Sequence, residues 1–330
     1  MKPTFYERIG ESVHREVLPN GLQVCVVPKP GYAKQYAFFA TRYGGMDPRF
    51  CLDGRWLDTP AGIAHYLEHK MFDTKEGNAL QELAKNGAEP NAFTSNAMTG
   101  YYFDSTAHFA ENLEILLSFV SIPYFTEESV AKEQGIIGQE IRMIEDNPDW
   151  QIYTRMMQSL YGVSTARTPI AGTVESISHI TAQTLYDCHK AFYTPSNMIL
   201  TVVGDVEPER IVELARRVLP KEAGPVIPRD YGTEPEAVAQ QESCLTMEVS
   251  TPQFLTGFKC RPAADGEDYL RMAVLGDMGE LGDLTDQAHF NAGALAAMLG
   301  IDFVIAIGSK AARIADGAAM SGGDVVHFST

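Results

Sequence analysis

The sequence predicts an α+β domain, in which a mostly antiparallel sheet has helices packed on one side, followed by a small α/β fragment with a parallel sheet. Two observations predict the first part: short alternating apolar strands dominate its beginning, and a run of helices follows before one further strand. A third observation predicts the second part, because after residue 271 three apolar strands alternate with two helices in a βαβαβ order.

The elements of the first part follow from periodicity and from helix start and stop signals. Asn20-Gly21 is a turn signal before the first alternating strand, and Asn86-Gly87 is a stop signal for a short helix. A stretch rich in Gly, Pro and Asp precedes the first helix and predicts a loop. In chain order, we expect strands at 22–28 and 36–43, helices at 60–72 and 77–87, strands at 88–94 and 100–106, helices at 108–120, 127–145, 149–160 and 182–192, a strand at 198–204 and a helix at 208–219.

The most informative stretch is the apolar helix predicted at 60–72. Residues four apart share one face of a helix, so His65 and His69 present both imidazoles to one point, as a metal clamp. Glu68 lies close enough to that face to hold a water on the metal without being a ligand. Zinc lowers the pKa of such a water toward neutrality, and the carboxylate takes its proton. A histidine pair alone is more often a coincidence, and the inner carboxylate is what makes the pattern specific.

A catalytic zinc site needs a third protein ligand. The best source is the long helix predicted at 127–145, where Glu133 and Glu140 lie two turns apart and share a face. One of them can bind the metal while the other supports a ligand or sets the local charge. The alternative is that this acidic helix is a solvated face without a metal.

Six motifs carry a resemblance to a known family. They lie at 62–72, 91–95, 133–140, 145–148, 171–177 and 193–199. In these motifs the chain resembles the insulinase or pitrilysin family of zinc metallopeptidases, the inverzincins, and most of all its bacterial processing-protease members, over residues 5 to 260. The resemblance implies that His65, His69 and Glu140 bind one Zn²⁺ per chain, that Glu68 is the general base, and that Glu133 is an outer-shell carboxylate.

The resemblance also implies a zinc-dependent endopeptidase that acts on peptides. In that family, the edge strand beside the zinc pairs with the substrate backbone, a role that here falls to Asn91, Ala92, Phe93 and Thr94. From the residues alone, the alternative is that Asn91 is a turn residue and Phe93 a core residue.

The composition excludes some classes of partner and predicts a cellular compartment. The formal net charge of -17, from 26 Lys and Arg against 43 Asp and Glu, argues against a nucleic-acid partner. No apolar run of about 18 residues and no signal-peptide pattern occur, which argues against a membrane partner. The five cysteines are scattered and lack any Cys-x-x-Cys pair, as expected for free thiols in a reducing compartment, so we expect a cytoplasmic protein.

The domain organisation that we expect has four parts. The zinc metallopeptidase domain occupies 1–220, a linker rich in Pro, Gly and charge occupies 221–240, and the start of a truncated second metallopeptidase-like domain occupies 241–264, with an opening strand at 246–259. An α/β fragment occupies 265–330.

The last part has a second resemblance. The motif at 274–282, with His289 on the next predicted helix, resembles the C-terminal domain of the Mur ligase that adds D-Ala-D-Ala to the peptidoglycan precursor, over residues 269 to 330. The chain contains no phosphate-binding loop of the Gly-x-x-x-x-Gly-Lys-Ser/Thr type, so we expect no ligase activity. The alternative is a generic α/β piece with Asp277 and Glu280 in a strand-to-helix loop. The chain thus matches only part of each of two families, which suggests a chimeric join near 262–270. Amplification across that junction from the source DNA tests this.

An incomplete second domain affects the expected activity. In the resembling family, that domain closes over the zinc domain and supplies an Arg and a Tyr that stabilise the tetrahedral intermediate. No segment here matches those residues, so a homologous subunit would have to supply the missing half. The alternatives to an active endopeptidase are therefore a non-catalytic partner subunit of a heteromeric processing peptidase and an inactive truncated or chimeric product.

Overall fold

The computed structural model describes residues 1–259, 272–276, 285–298, 301 and 303–329. The chain folds as two compact units, Met1–Lys259 and Cys260–Thr330. The expected domain boundary between residues 264 and 265, the suggested join near 262–270 and the loop with Asp277 and Glu280 lie outside the described residues. None of the helices in the described part of the chain combines the length and the apolar character that crossing a bilayer requires.

A seven-stranded sheet forms the centre of the first unit. Its strands are β1 (Lys2–Tyr6), β2 (Glu11–Val17), β3 (Gln23–Pro28), β4 (Gln35–Thr41), β9 (Ala88–Thr94), β10 (Thr99–Ser105) and β11 (Met198–Gly204). They are paired in the order β1-β2-β3-β11-β4-β10-β9, and every pairing is antiparallel except that of β3 with β11. The prediction of a mostly antiparallel sheet is thereby confirmed.

Eight helices accompany this sheet in the first unit. Their bounds agree with the predicted helices to within three residues, and the four-residue α6 is an addition. They are α1 (Ile63–Met71), α2 (Ala79–Lys85), α3 (Phe109–Ser121), α4 (Glu127–Glu145), α5 (Pro148–Leu160), α6 (Val174–Ile177), α7 (Ala182–Phe192) and α8 (Pro208–Val218).

The core lies between one face of the sheet and the helices. Val24 and Val26 of β3 alternate inward and are buried, as are Phe39 of β4 and Leu200 of β11. Leu116 on α3 is buried in the same cluster. The opposite face of the sheet carries partly exposed aromatic side chains, with the rings of Phe38 and Phe93 stacked at 6.0 Å. One apolar face and one half-open face are expected of an antiparallel sheet covered on one side.

The strands depart from the predictions in three places. The stretch expected to be a loop contains a hairpin, β5 (Arg49–Leu52) and β6 (Arg55–Asp58), whose turn residues Asp53 and Gly54 both have positive φ. A second small hairpin, β7 (Asp73–Thr74) with β8 (Gly77–Asn78), precedes α2. β1 and β2 were not predicted, because the side chains of β1 are exposed and lack an inward alternation.

The expected strand at 246–259 is wrong, since this stretch contains no strand in the structure. It finds no strand partner among the described residues and instead belongs to an irregular segment that runs along α5. Gln253 Nε2 donates to Asp149 Oδ1 at 2.5 Å, and Gln240 N donates to Ser159 O at 2.9 Å. A segment without a partner strand cannot form the hydrogen bonds of a sheet. The alternating pattern of this stretch is therefore not enough to make it a strand.

The second unit is described by itself. Three parallel strands, β12 (Met272–Gly276), β13 (Phe303–Ile307) and β14 (Asp324–Phe328), pair in chain order. The helices between them are α9 (Thr285–Met298) and α10 (Ala312–Met320). This βαβαβ order confirms the predicted parallel fragment. The resemblance of this part to a Mur ligase domain stays a prediction.

Candidate metal centre

Helix α1 carries three of the predicted site residues on one face. The chain enters the helix at Gly62, whose φ of 91° is in the left-handed region that favours glycine. His65 and His69 then lie one turn apart, and their ring centroids are 4.6 Å from each other. Glu68 is 7% exposed and therefore nearly buried. The local sequence thus places two imidazoles and one carboxylate at the same helix surface.

Helix α4 crosses this surface and supplies the acidic side chains. Its start is fixed by a capping box, in which the Thr126 hydroxyl accepts from Ser129 N while the Ser129 hydroxyl reaches the Thr126 backbone N–H. The Tyr66 hydroxyl donates to the backbone carbonyl of Val130 and so fastens α1 to the first turns of α4. In the register at which the two helices pack, Glu140 faces both histidines.

Glu140 lies opposite both histidines. Its Oε1 is 3.4 Å from His65 Nε2, and its Oε2 is 3.5 Å from His69 Nε2. The ligand atoms of the three residues all lie within 4.8 Å of one another. Ligand atoms held about 2.1 Å from a tetrahedral Zn²⁺ are about 3.4 Å apart, so the donor set and its spacing fit zinc.

Glu133 contacts a histidine from the other side. Its Oε1 is 3.1 Å from His69 Nδ1, which leaves Nε2 of that ring free to face Glu140. Burial lowers the pKa of His69, but its hydrogen bond to Glu133 and the charges of Glu68 and Glu140 outweigh burial and raise it overall. The hydrogen bond to His69 holds the pKa of Glu133 below its usual range, and that to His65 does the same for Glu140. The centre is therefore a negative site, which favours a cation.

Glu68 contacts the edge of the sheet. The Thr94 hydroxyl donates to Glu68 Oε2 at 2.8 Å, so one carboxylate oxygen is fixed and Oε1 remains for another contact. Thr94 is the last residue of β9, and β9 is an edge strand that pairs with β10 alone within the described part of the chain. The structure thus places the predicted base beside the predicted substrate strand.

The other predicted residues of β9 alternate along the strand. Asn91 is exposed, and Ala92 and Thr94 are partly buried. Phe93 is 37% exposed and stacks on Phe38 of β4. Asn91 lies within the strand and Phe93 on its outer face, so neither the turn nor the core alternative fits.

A cleft of about 470 Å³ adjoins the centre and was not predicted from the sequence. His65, Glu140 and Thr94 line one side of it, and Trp150 and Tyr153 of α5 line another. Lys70 was also missed: it is 1% exposed and forms an ion pair with Asp73. A lysine inside an apolar helix was the signal in the sequence that could have found it.

The chain matches two family models. Residues 54–174 match the insulinase model of peptidase family M16, and residues 179–284 match the model of the peptidase M16 inactive domain. The uncharacterized zinc protease YmfH of Bacillus subtilis is 46% identical over 277 residues, which are 82% of this chain and 65% of that protein. The chain therefore spans slightly less than two thirds of this relative.

Solved structures agree with these matches. An M16-like peptidase from Alicyclobacillus acidocaldarius is 31% identical, with a TM-score of 0.68 over 88% of this chain and 66% of that one. A protease from Helicobacter pylori, 24% identical with a TM-score of 0.60 over 68% of this chain and 54% of that one, shares the fold. With these matches and the arrangement of the site, the chain belongs to the insulinase family of zinc peptidases, peptidase family M16.

Proposed function

We propose that this chain is a zinc-dependent endopeptidase in which His65, His69 and Glu140 hold one Zn²⁺ and Glu68 is the general base. The observation that carries the proposal is the convergence of the three ligand atoms within 4.8 Å, next to a nearly buried carboxylate. When bound, zinc supplies Lewis-acid activation of a water and of the substrate carbonyl.

The proposed proton path uses one oxygen of Glu68. Because Oε2 accepts a hydrogen bond from the Thr94 hydroxyl at 2.8 Å, Oε1 takes the proton of the attacking water. The same oxygen then passes the proton to the leaving amine nitrogen. The low exposure of Glu68 excludes bulk water from this exchange.

The substrate we propose is an extended peptide bound along β9. The edge of β9 opposite β10 has backbone groups that can pair with a peptide, as in β-augmentation. Asn91, Ala92, Phe93 and Thr94 form the part of this edge nearest Glu68. Main-chain pairing selects extended backbone rather than sequence, which suits a peptidase of broad specificity.

We propose that turnover requires a second half supplied by a homologous subunit. The carboxylate of Glu140 is 39% exposed and that of Glu133 only 17%, so the centre is open on the Glu140 side. We therefore expect a partner to cover the Glu140 side of the centre. Four cysteines of the described chain are free thiols, which supports a reducing compartment, and we propose the cytoplasm.

The zinc content of the purified chain tests the ligand set. We expect about one zinc per chain in the parent, and a loss or strong weakening in Glu140→Gln. Glu128→Gln is the matched control, because it makes the same change at an exposed position in the first turn of the same helix. A parent chain without zinc, or a Glu140→Gln chain that binds it as the parent does, contradicts the proposal.

Peptidase activity tests the role of Glu68. A quenched fluorescent peptide library is incubated with the chain alone and with homologous subunits of the same source. We expect Glu68→Gln to keep its zinc and to lose activity by about 10²-fold or more. If a complex keeps its activity when this chain carries Glu68→Gln, the chain is a non-catalytic partner subunit instead.

A further inference from the structure

Lys70 is a buried cation directly behind the candidate metal centre. It follows His69 in α1, but its side chain points into the protein and the residue is only 1% exposed. A buried ammonium is costly unless it is paired with opposite charge. Within the part of the chain that the structure describes, Lys70 has two such partners: Asp73 forms an ion pair with it, and Glu133 Oε2 lies 3.8 Å from its Nζ.

The same carboxylate that faces Lys70 contacts a proposed ligand. While Oε2 of Glu133 faces the ammonium, Oε1 lies 3.1 Å from His69 Nδ1. The opposite nitrogen of that ring, Nε2, lies 3.5 Å from Glu140. Alternating charges therefore run from Asp73 through Lys70 and Glu133 to the imidazole that faces the centre.

Glu133 lies among negative charges, and Lys70 provides a buried positive charge beside it. Glu68 and Glu140 add negative charge on the side of the histidines, and the side chain of Glu133 is 17% exposed, so water screens it poorly. Lys132 also attracts this carboxylate, but it is exposed and therefore screened. Without Lys70, the carboxylate would lose its buried counter-charge, and we expect water to compete with its contact to His69.

We propose that Lys70 is a positioning residue for the metal site: it holds Glu133 in the position from which Glu133 orients the His69 ring. The inference rests on the proposed zinc site. Partners that orient a histidine ligand affect metal affinity strongly, typically by about 10-fold to 100-fold. Lys70 extends that set by one residue, through a contact of charge rather than through contact with the metal.

Zinc affinity provides a test that does not depend on turnover. The dissociation constant is measured at neutral pH by competition with a zinc-binding dye, for the parent and for Lys70→Met, which has a similar length and no charge. We expect zinc to bind about 10-fold to 100-fold more weakly in Lys70→Met. Lys190→Met is the matched control, because it removes a lysine that pairs with Asp53 at the surface, and its affinity is expected to equal that of the parent.

A double-mutant cycle separates positioning from a general effect on the fold. If Lys70 acts through Glu133, then Lys70→Met changes zinc affinity less than about 3-fold in a Glu133→Gln background. The visible spectrum of the cobalt(II)-loaded protein supplies a second readout. We expect Lys70→Met to shift it, because the orientation of the His69 ring changes, and Lys190→Met to leave it unchanged.

The outcomes are distinct. A parent that binds no zinc overturns the proposed function. A parent that binds zinc, with Lys70→Met binding it as tightly, overturns only the role of Lys70, and so do effects of Lys70→Met and Glu133→Gln that simply add. Lys70→Gln, which keeps a hydrogen-bond donor without the charge, replaces Lys70→Met if that variant does not fold. If neither variant folds, Lys70 is a folding residue and the inference is wrong.

Discussion

The hydroxyl of Thr94 donates a hydrogen bond to Glu68 Oε2 at 2.8 Å, and this contact joins the end of β9 to the helix that carries both histidines. The strand proposed to bind the peptide and the proposed base thus share one polar contact. If a peptide binds along β9 as proposed, we expect this contact to transmit a shift of the strand edge to the carboxylate of Glu68.

Thr94→Val keeps the shape of the side chain and removes the donor. A hydrogen bond to a charged group contributes about 1.5 to 3 kcal/mol, so we expect kcat/KM to fall about 10-fold to 100-fold while the zinc content is unchanged. Steady-state kinetics with a cleaved library peptide measures this. Thr94→Ser keeps the hydroxyl and is the control. If kcat/KM of the valine variant equals that of the parent, Thr94 does not contribute to catalysis.

Removal of zinc is expected to destabilise the protein. A ligand present at about 1,000 times its dissociation constant stabilises the folded state by about 4 kcal/mol, so a chelator should lower the midpoint of thermal unfolding. Calorimetry with and without the chelator measures the change. Glu128→Gln should respond as the parent does, and His65→Ala should not respond. Equal responses of all three proteins would mean that zinc stabilises the fold from another place.

Gly62→Ala tests the entry to α1. The φ of 91° at this position is unfavourable for alanine, and an added Cβ would lie 2.5 Å from the carbonyl oxygen of Ala171. We expect the free energy of unfolding to fall by about 2 kcal/mol or more, measured in urea. Gly135→Ala is the control, because that glycine is helical and an added Cβ meets nothing within 4 Å. The control should gain about 0.5 to 1 kcal/mol.

Because the imidazole of His189 is buried, we expect the protein to lose stability in acid. Burial lowers the pKa of His189 to about 4, although its hydrogen bond with the carbonyl of Val120 at 3.0 Å opposes this. The unfolded chain, with a histidine pKa of about 6.5, binds the proton more readily, so the stabilisation is full above pH 6.5 and is lost as the pH falls toward 4. From pH 7.5 to pH 5, protonation linked to this histidine alone should lower the free energy of unfolding by about 2 kcal/mol.

His189→Gln measures that contribution. Gln offers an amide donor toward the same carbonyl and does not titrate. Urea unfolding at pH 7.5 and at pH 5 should show a smaller loss of stability in the variant than in the parent, by about 2 kcal/mol. Parallel losses in the two proteins would assign the acid sensitivity to other groups.

The choice between Glu133 and Glu140 illustrates what spacing leaves open. Two turns along a helix predict a shared face, but the residues are about 10 Å apart along the axis, so only one can meet a given point. The docking of α4 on α1, which includes the contact of Tyr66 with Val130, places Glu140 opposite both Nε2 atoms. That docking depends on the tertiary structure, so the residues alone could not choose.

The strands show a similar division. β3, β4, β10 and β11 were predicted because each buries alternate apolar side chains. The β5–β6 hairpin was missed although Asp53-Gly54 is a strong turn signal, since the surrounding Gly and Pro residues favoured a loop. At 246–259 the opposite error occurs: the pattern predicts a strand, but no partner strand pairs with this stretch in the described chain. A pattern predicts the preference of a segment, and the neighbour decides whether it is realised.

The position of β11 also determines when this sheet can be completed during synthesis. β11 pairs with β3 on one side and with β4 on the other, yet it follows β3 by about 170 residues. Until Gly204 has left the ribosome, β3 and β4 each present an edge of unpaired backbone N–H and C=O groups, and pairing across so long a loop is slow. In that interval the helices that carry the histidines and glutamates, α1 and α4, are already synthesised while the sheet beneath them is incomplete, and we expect the nascent chain to be most prone to aggregation then.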